Sequence, residues 1–159
     1  MTKHENVEDG AVSNWHTTEL RVPLFEVDLG HAVYHGNYFH IFELARESCL
    51  RDMGYPYRRF MDQELHLTVV EANCSYRRPL RYDDLIQVHS RIQWWRRRSL
   101  AFSQIIYTLE EADKLVLCTK STLNMVCVRF DGKPTTLPED FVALLKMHHK
   151  GDIAPDSGH

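Results

Sequence analysis

The sequence lacks the features that mark several large classes of protein. No apolar run is long enough to cross a bilayer, and the opening residues, MTKHENVEDGAVSN, contain no apolar signal-peptide core. The formal net charge is −3, so no global basic field favours wholesale nucleic-acid binding. A hydrophobic content of 43% and a charged content of 26% are ordinary for a globular protein. Together these observations predict a cytoplasmic protein without a membrane span.

The sequence also lacks any Cys-x-x-Cys pair. Its four cysteines lie singly in apolar segments, at Cys49, Cys74, Cys118 and Cys127. In a reducing compartment such residues behave as small buried hydrophobic side chains. No motif around them supports a catalytic thiol.

The length of 159 residues favours one domain with a single core. No internal repeat, low-complexity tract or linker divides the chain. The polar ends predict a disordered arm over residues 1–13 and a disordered tail over residues 150–159. Residues 14–149 then form a single folded domain.

One long helix is predicted over residues 37–53. Apolar side chains recur there at spacings of three and four, which stacks them on one helical face: Tyr38, Ile41, Phe42, Ala45 and Cys49. Asn37 is the expected N-cap, because its side chain can accept a hydrogen bond from the first free N–H groups. Gly54 is the expected C-terminal stop, with Pro56 after it.

The rest of the chain is predicted to be rich in strands. One strand, WHTTELRV, precedes the helix, and four others follow it: HLTVVEANCSYRR, LIQVHSRIQWW, LAFSQIIYTL and LVLCTKSTLNMVCVRF. The turn DGKP closes the last strand, and Pro138 opens a short helix, EDFVALLKM. The order is one strand, a long helix and then about four strands in a meander. It predicts the α+β class, with the helix packed on one face of an antiparallel sheet of about five strands.

The segment VDLGHAVYHGNYFHIFELARE, residues 27–47, resembles the signature of the 4-hydroxybenzoyl-CoA thioesterase family. The residues in register with that signature are Asp28, Gly30, Val33, Tyr34, His35, Asn37 and Tyr38. A second segment, SYRRPLRYDDLIQVHSRI, resembles the family's second strand, its proline turn and the paired acids before the third strand. The sequence is similar to the bacterial acyl-CoA thioesterase branch that carries both the Asp and the Tyr-His. The resemblance implies the hot-dog fold, in which an antiparallel sheet wraps around a long helix.

Asp28 is the candidate catalytic residue. Hydrolysis of a thioester needs a group that delivers oxygen to the carbonyl, and Asp28 can act as a general base on water or attack directly as a nucleophile. The helix after Asn37 presents free N–H groups and the positive end of its dipole, which would polarise a carbonyl oxygen. By resemblance, the backbone N–H of His35 donates to the thioester oxygen, and Gly36 allows close approach. The alternative for Asp28 is a turn residue whose carboxylate caps local N–H groups.

Three histidines surround the predicted helix entrance. His31 departs from the family pattern, since many members have a small residue there, often glycine, and this departure bears on the substrate more than on the reaction. The ring of His35 either orients water or substrate near Asp28, or packs and hydrogen-bonds at the helix entrance. His31 and His35 are four residues apart, a spacing that suits zinc on a helix, but their segment precedes the helix and has no HExxH motif or cysteine partner. Neither they nor His40 are therefore expected to bind a metal.

The other candidates concern the acyl group. Tyr34, Tyr38 and Phe42 are candidates for the walls of its pocket, although an aromatic stripe at helical spacing is more often core. Glu71 and Asn73 share one strand face by alternation. In the hot-dog fold that strand borders the active cleft of the partner subunit, which makes Glu71 a candidate substrate-binding residue. The alternative is a solvated strand face.

Two groups of arginines are candidates for the phosphates of coenzyme A. The turn WWRRRS contains Arg96, Arg97 and Arg98, whose guanidinium forks suit phosphate oxygens. The alternative for this turn is a solvated hairpin end. A second basic group flanks the Pro79 turn and could serve instead: Arg77, Arg78 and Arg81.

The sequence and its resemblance together predict an acyl-CoA thioesterase that acts on a short or medium aliphatic, or an aromatic, acyl group. Coenzyme A enters as part of the substrate, and no metal or redox cofactor is needed. The resemblance implies a homodimer or homotetramer with the site between subunits, and an unpaired edge strand would favour association. The rivals are an acyl-carrier-protein thioesterase and a non-catalytic acyl-CoA-binding module. A hot-dog dehydratase is disfavoured, since its Asp/His motif is not found.

Overall fold

The computed structural model describes residues 15–148. The predicted arm, residues 1–13, and the predicted tail, residues 150–159, lie outside the described residues. The elements are β1 (His16–Arg21), α1 (Tyr38–Asp52), α2 (Arg58–Asp62), β2 (Leu65–Tyr76), β3 (Leu85–Trp95), β4 (Ser99–Glu110), β5 (Lys114–Arg129) and α3 (Glu139–His148). The predicted α+β class is confirmed, with one five-stranded antiparallel sheet and one long helix.

Helix α1 forms where the apolar stripe predicted it. The five predicted core residues of the stripe are all buried, and Leu50 joins them. The helix ends in a left-handed glycine, Gly54, with a φ of 84°. The Gly54 N–H donates to the Arg51 carbonyl, and the Tyr55 N–H donates to the Leu50 carbonyl, both at 2.9 Å. These two bonds form a Schellman motif, which satisfies the last carbonyls of the helix.

The strand order corrects one prediction. Strands β3, β4 and β5 form the expected meander, but β2 pairs with β5 at the far edge, so that the order is β1-β3-β4-β5-β2. The reason is that α1 crosses the sheet before β2 begins, and the chain therefore re-enters the sheet at the edge opposite to β1. Both β1 and β2 are edge strands. The short helix α2 was not predicted, since five residues are too few to show a helical period.

The two ends of the sheet are formed by different parts of the chain. At the first, the entrance end, α1 begins, and β2 and β4 finish at Tyr76 and Glu110. At the second, the turn end, residues 96–98 connect β3 to β4. Strand β3 has 11 residues, so the two ends lie roughly 33 Å apart at about 3.3 Å per residue.

The core follows this division. One buried cluster lies towards the entrance end around Tyr38 and Phe42, and a larger one lies towards the turn end, where α2 and α3 also pack. Between them Gln104 donates through Nε2 to the Phe42 carbonyl and to Ser90 Oγ, both at 2.9 Å. This amide ties α1 to the middle of the sheet and satisfies polar atoms that burial would otherwise leave unpaired.

The C-terminal helix α3 confirms the prediction for EDFVALLKM. Its buried side chains, Phe141 and Leu145, close the turn-end core. Asp140 accepts a hydrogen bond from the Tyr55 hydroxyl at 3.0 Å and pairs with Arg59 at 2.7 Å. Among residues 15–148, no helix is long and apolar enough to cross a membrane.

Candidate active site

Asp28 lies on a short hairpin between β1 and α1. The flanking residues Val27 and Val33 form an isolated bridge, and the Asp28 N–H donates to the Ala32 carbonyl at 3.0 Å. One carboxylate oxygen, Oδ1, accepts from the Gly30 N–H at 2.8 Å. The side chain is exposed, so the carboxylate is both held by the turn and open to a substrate. The turn-residue alternative is therefore present in the structure and is compatible with catalysis.

His31 occupies the left-handed position of this hairpin. Its φ is 62°, and its N–H donates to the Asp28 carbonyl at 3.1 Å. Hairpin turns of this length usually place glycine at such a position, because a Cβ is strained there. The family's frequent glycine thus has a backbone reason, and the histidine of this chain carries the strain.

The entrance of α1 is a tight turn held by the sheet. Residues His35–Asn37 form a 3-10 turn, in which the Asn37 N–H donates to the Tyr34 carbonyl at 2.8 Å. The first N–H groups of such a run have no partner within the helix and point outwards with the positive end of its dipole. Tyr76 of β2 donates its hydroxyl to the His35 carbonyl at 2.6 Å, and burial raises the pKa of this hydroxyl.

Asn37 does not cap the helix as predicted. Its side chain makes no capping hydrogen bond, and Nδ2 instead donates to the Glu26 carbonyl at 3.1 Å. A capping residue has extended backbone angles, whereas Asn37 already has helical ones, with φ −77° and ψ −14°. The reason is that Asn37 is the last residue of the 3-10 turn, which gives it helical angles.

Tyr34, His35 and Gly36 pack against one another at this entrance. The rings of Tyr34 and His35 lie 4.2 Å apart between centroids, and both residues are exposed. A Cβ on Gly36 would lie 2.9 Å from Cε1 of Tyr34, so the missing side chain makes room for that ring. No hydrogen bond within residues 15–148 joins the His35 ring to Asp28. Its orienting role stays a prediction.

Tyr38 and Phe42 lie in the core, which is the alternative that their helical spacing indicated. They are 3% and 0% exposed. The Tyr38 hydroxyl accepts from the Leu80 N–H at 3.1 Å, and burial raises its pKa. This hydroxyl therefore anchors the start of α1 to the chain that leads into β3.

Glu71 lies on the opposite face of the sheet from α1. It pairs with Asn124 of β5, whose neighbours Leu123 and Met125 are buried on the helix side. Asn124 Nδ2 donates to the carboxylate at 2.8 Å, and Asn73 Nδ2 does so at 3.4 Å. The predicted sharing of one face by Glu71 and Asn73 is confirmed, and that face is the outer one.

The first arginine group lies at the turn end, away from Asp28. The Arg96 guanidinium stacks over the Trp94 ring at 4.9 Å. The carbonyls of Arg97 and Arg98 accept from the N–H groups of Leu137 and Cys127 at 2.9 and 2.8 Å, respectively. The backbone of this turn is thus fixed, while its three side chains are exposed.

The second arginine group lies beside the Asp28 hairpin. Arg81 donates through Nη1 to the His31 carbonyl at 3.3 Å. Arg78 pairs with Glu110 at 3.7 Å at the end of β4. Within one subunit this second group, and not Arg96–Arg98, is the basic surface next to the entrance.

Glu26 is a site residue that sequence reasoning missed. It is buried, at 4% exposure, only two residues before Asp28, and its carboxylate contacts His40 on α1. The available signal was its position, a single charge among Val22, Leu24, Phe25 and Val27. Tyr76 was also missed, and nothing local in the sequence marks it.

A cavity of about 200 Å³ lies beneath α1. Its walls are mainly apolar, with charged groups from the helix at one side: Glu43, Arg46, Glu47, Leu50, Tyr57, Leu67, Val69, Phe102 and Met125. Burial lowers the pKa of Arg46, whose Nη1 donates to Gln104 Oε1 at 3.2 Å. Since it lies beneath the middle of α1, the cavity is not at the Asp28 entrance.

A thiol or metal site would have to be formed by cysteine, histidine or acidic side chains. Cys49, Cys118 and Cys127 are buried and Cys74 is half-buried, all as free thiols. Burial raises the pKa of Cys49 to about 12. In the part of the chain from residue 15 to residue 148, no group of three or more His, Cys, Asp or Glu side chains could hold a metal ion.

The profile of the thioesterase-like superfamily matches residues 22–145. The chain belongs to the thioesterase-like superfamily. Membership confirms the predicted hot-dog fold and the thioester hydrolase class.

Individual relatives agree with this membership. The acyl-CoA thioester hydrolase YbgC of Escherichia coli is 32% identical over 133 residues, which cover 80% of this chain and 93% of the relative. The crystal structure of a hypothetical protein from Aquifex aeolicus is 32% identical, with a TM-score of 0.74, over 82% of this chain and 99% of that one. The 4-hydroxybenzoyl CoA thioesterase of Pseudomonas shares the fold, with a TM-score of 0.74 at 20% identity, over 82% and 98% of the two chains.

Proposed function

We propose that this thioesterase-like protein hydrolyses acyl-CoA thioesters to a free acid and coenzyme A, with Asp28 as the catalytic carboxylate. The observation that carries the proposal is the position of Asp28. Its exposed carboxylate lies on a hairpin whose neighbouring residues bond directly to the entrance of α1. Superfamily membership and the acyl-CoA thioester hydrolases among the relatives support the same reaction.

The chemistry follows from these two features. Asp28 either takes a proton from water, which then attacks the thioester carbon, or attacks that carbon itself to form an anhydride that water opens. In both cases the carbon–sulfur bond breaks and the leaving thiolate of coenzyme A takes up a proton. The free N–H groups at His35 and Gly36 would hold the developing oxyanion, and the loss of one such donor typically raises the barrier by about 2.7–4 kcal/mol. No metal or redox cofactor enters the proposed reaction.

We propose that the complete site lies between two subunits. Strand β2 is a long edge strand, and Val69 and Val70 on it are 44% and 61% exposed. An exposed apolar edge favours pairing with a second copy. Antiparallel pairing of two β2 strands places the entrance end of one subunit beside the turn end of the other. The partner subunit then brings its cavity and its turn arginines towards Asp28.

This arrangement assigns roles to the remaining candidates. The apolar cavity beneath α1 would hold the acyl group, either a short chain or a single aromatic ring. The thioester bond of that acyl group would be hydrolysed by Asp28 of the partner subunit. Arg96, Arg97 and Arg98 would bind phosphates of coenzyme A across the interface, and Arg81 would do so from the same subunit. Glu71 lies on the outer face, so we assign it no contact with the acyl group. The free cysteines support a reducing compartment, such as the cytoplasm.

The test is the release of thiol from a panel of acyl-CoAs by the wild type and by Asp28→Asn. Asparagine keeps the size and the oxygen that accepts from Gly30, but it removes the base and the nucleophile. We expect kcat to fall by two or more orders of magnitude, at the scale of a lost general base. The best substrate of the panel would identify the acyl class.

The matched control is Asp131→Asn. Asp131 Oδ1 accepts from the N–H two residues later, that of Lys133, at 3.0 Å, which is the same local bond that Asp28 makes. This control should keep kcat within about twofold, because it changes an equivalent turn whose carboxylate has no proposed role in catalysis or in binding the substrate. An equal loss of kcat in both variants, or an unchanged kcat in Asp28→Asn, would contradict the proposed role of Asp28. If acyl groups were hydrolysed only from acyl carrier protein and not from coenzyme A, the substrate would be a carrier-bound acyl group.

A further inference from the structure

The carboxylate of Glu26 is an unusual feature of the entrance. Glu26 is the one charged residue among the buried residues of the described chain, and its side chain is 5% exposed. Removing an ionised carboxylate from water is unfavourable unless it is paired and hydrogen-bonded. Both of its oxygens contact Nδ1 of His40, Oε1 at 3.2 Å and Oε2 at 3.1 Å. A hydrogen bond from His40 to an ionised carboxylate requires the proton on Nδ1, because such a carboxylate only accepts.

The main chain of Glu26 makes a second set of contacts with the same region. Its carbonyl accepts from Asn37 Nδ2 and from the Tyr34 N–H, each at 3.1 Å. Residue 26 therefore bonds to residues 34, 37 and 40, which lie before, within and after the 3-10 turn. All three bonds join the segment that leads into Asp28 to the segment that carries the free N–H groups.

The chemistry of the reaction makes this connection important. The carboxylate of Asp28 and the N–H groups at His35 and Gly36 must act on the two sides of one carbonyl. They belong to separate segments, so their distance depends on what fastens the segments together. A displacement of about 1 Å between reacting groups can reduce a rate by roughly 100-fold.

We infer that Glu26 and His40 are positioning residues that fix the Asp28 hairpin against the entrance of α1 during thioester hydrolysis. The inference rests on the proposed role of Asp28. The Glu26 side chain is buried, and both of its oxygens are engaged by His40. The His40 ring is 63% exposed, but its Nδ1 is directed at that buried carboxylate, so the pair acts through the two segments that it joins. Their contribution is the geometry between two other groups, and it should therefore appear in kcat more than in KM.

The test compares two substitutions of His40 in the full chain. His40→Asn keeps an N–H donor near the position of Nδ1, whereas His40→Leu removes the donor and leaves the carboxylate unpaired. We expect His40→Leu to lower kcat roughly 10- to 100-fold with KM within about threefold of the wild type. His40→Asn should restore most of the rate. Kinetics are measured well below the unfolding temperature of each variant, with near-UV circular dichroism to show that it is folded.

A matched control separates positioning from stability. A second histidine–carboxylate pair joins α1 to the segment before it, at the other end of the helix. Nδ1 of His16 on β1 lies 3.2 Å from Oδ2 of Asp52 on α1. His16→Leu should lower the stability without changing kcat. The inference is wrong if His40→Leu changes kcat no more than His16→Leu does, or if His40→Asn and His40→Leu have equal effects.

Asp28→Asn distinguishes this inference from the proposed function. If Asp28→Asn is inactive and His40→Leu retains full kcat, only the positioning role is overturned. If Asp28→Asn is as active as the wild type, the proposed function fails, and the positioning role fails with it.

Discussion

Replacing His31 with glycine should stabilise the protein. The residue has a φ of 62°, and this left-handed conformation costs an L-residue roughly 1–2 kcal/mol. Glycine avoids the strain but loses more conformational entropy on folding, by roughly 0.5–1 kcal/mol. The His31 ring is exposed and makes no hydrogen bond within residues 15–148, and its carbonyl would still accept from Arg81. With the midpoint of each range, the expected net gain in the free energy of unfolding is about 0.8 kcal/mol.

The gain is measurable by thermal and urea unfolding. For a chain of this size, 1 kcal/mol corresponds to a Tm change of about 2–4 °C, so His31→Gly should raise Tm by about 1–4 °C. His31→Ala is the matched control, because it removes the ring but keeps the Cβ and its strain. It should not stabilise the protein. Glu64→Gly is a second control, since Glu64 has a φ of 57° outside the site and should give a similar gain.

The reasoning would be refuted if His31→Gly were no more stable than His31→Ala. A loss of stability in both variants would mean that the ring makes contacts whose contribution exceeds the backbone strain. Either result would remove the backbone explanation for the glycine that many family members have at this position.

Two further predictions concern the sheet. Tyr76→Phe removes the hydroxyl that donates to the His35 carbonyl at 2.6 Å, so the free energy of unfolding should fall by about 0.5–1.5 kcal/mol. The value of kcat should also fall, because the entrance turn becomes less tightly held. Unchanged urea midpoints and kinetics would contradict this prediction. Burial lowers the pKa of His89, so the folded state binds its proton less readily than the unfolded state does. The stability from neutral His89 is therefore complete above the unfolded pKa near 6.5 and is lost as the pH falls through the lowered folded pKa. Urea unfolding between pH 7.5 and 5 should show a smaller loss for His89→Asn than for the wild type, and equal losses would count against this explanation.

Local pattern predicted the parts of the fold that depend on near neighbours. The stripe from Tyr38 to Cys49 and the stop at Gly54 placed α1 within a residue of its observed ends, because helical contacts join residues three and four apart. Alternation placed Glu71 and Asn73 on one strand face for the same kind of reason. It did not give the side of the sheet, which follows from the pairing of β2 with β5.

The Asp28 motif itself was found from the sequence, since its spacing lies within one short segment. The contacts that hold the motif in place were not found from the sequence. Tyr76 reaches His35 across 41 residues, and His40 reaches Glu26 across 14, so no local period records either contact. The sequence also did not indicate that the turn arginines lie far from Asp28, because that distance depends on the direction of each strand in the sheet.

The sequence determined the helix and the strands, and together with its family resemblance it indicated the class of reaction and the carboxylate proposed to perform it. Tertiary structure decided the place of β2 at the sheet edge, the buried partner of His40, and which basic residues lie beside the entrance. The physical reason is the separation along the chain of the residues that interact. Secondary structure is chosen by side chains within a few residues of one another, whereas the site is assembled by strand pairing and burial between segments that are distant along the chain.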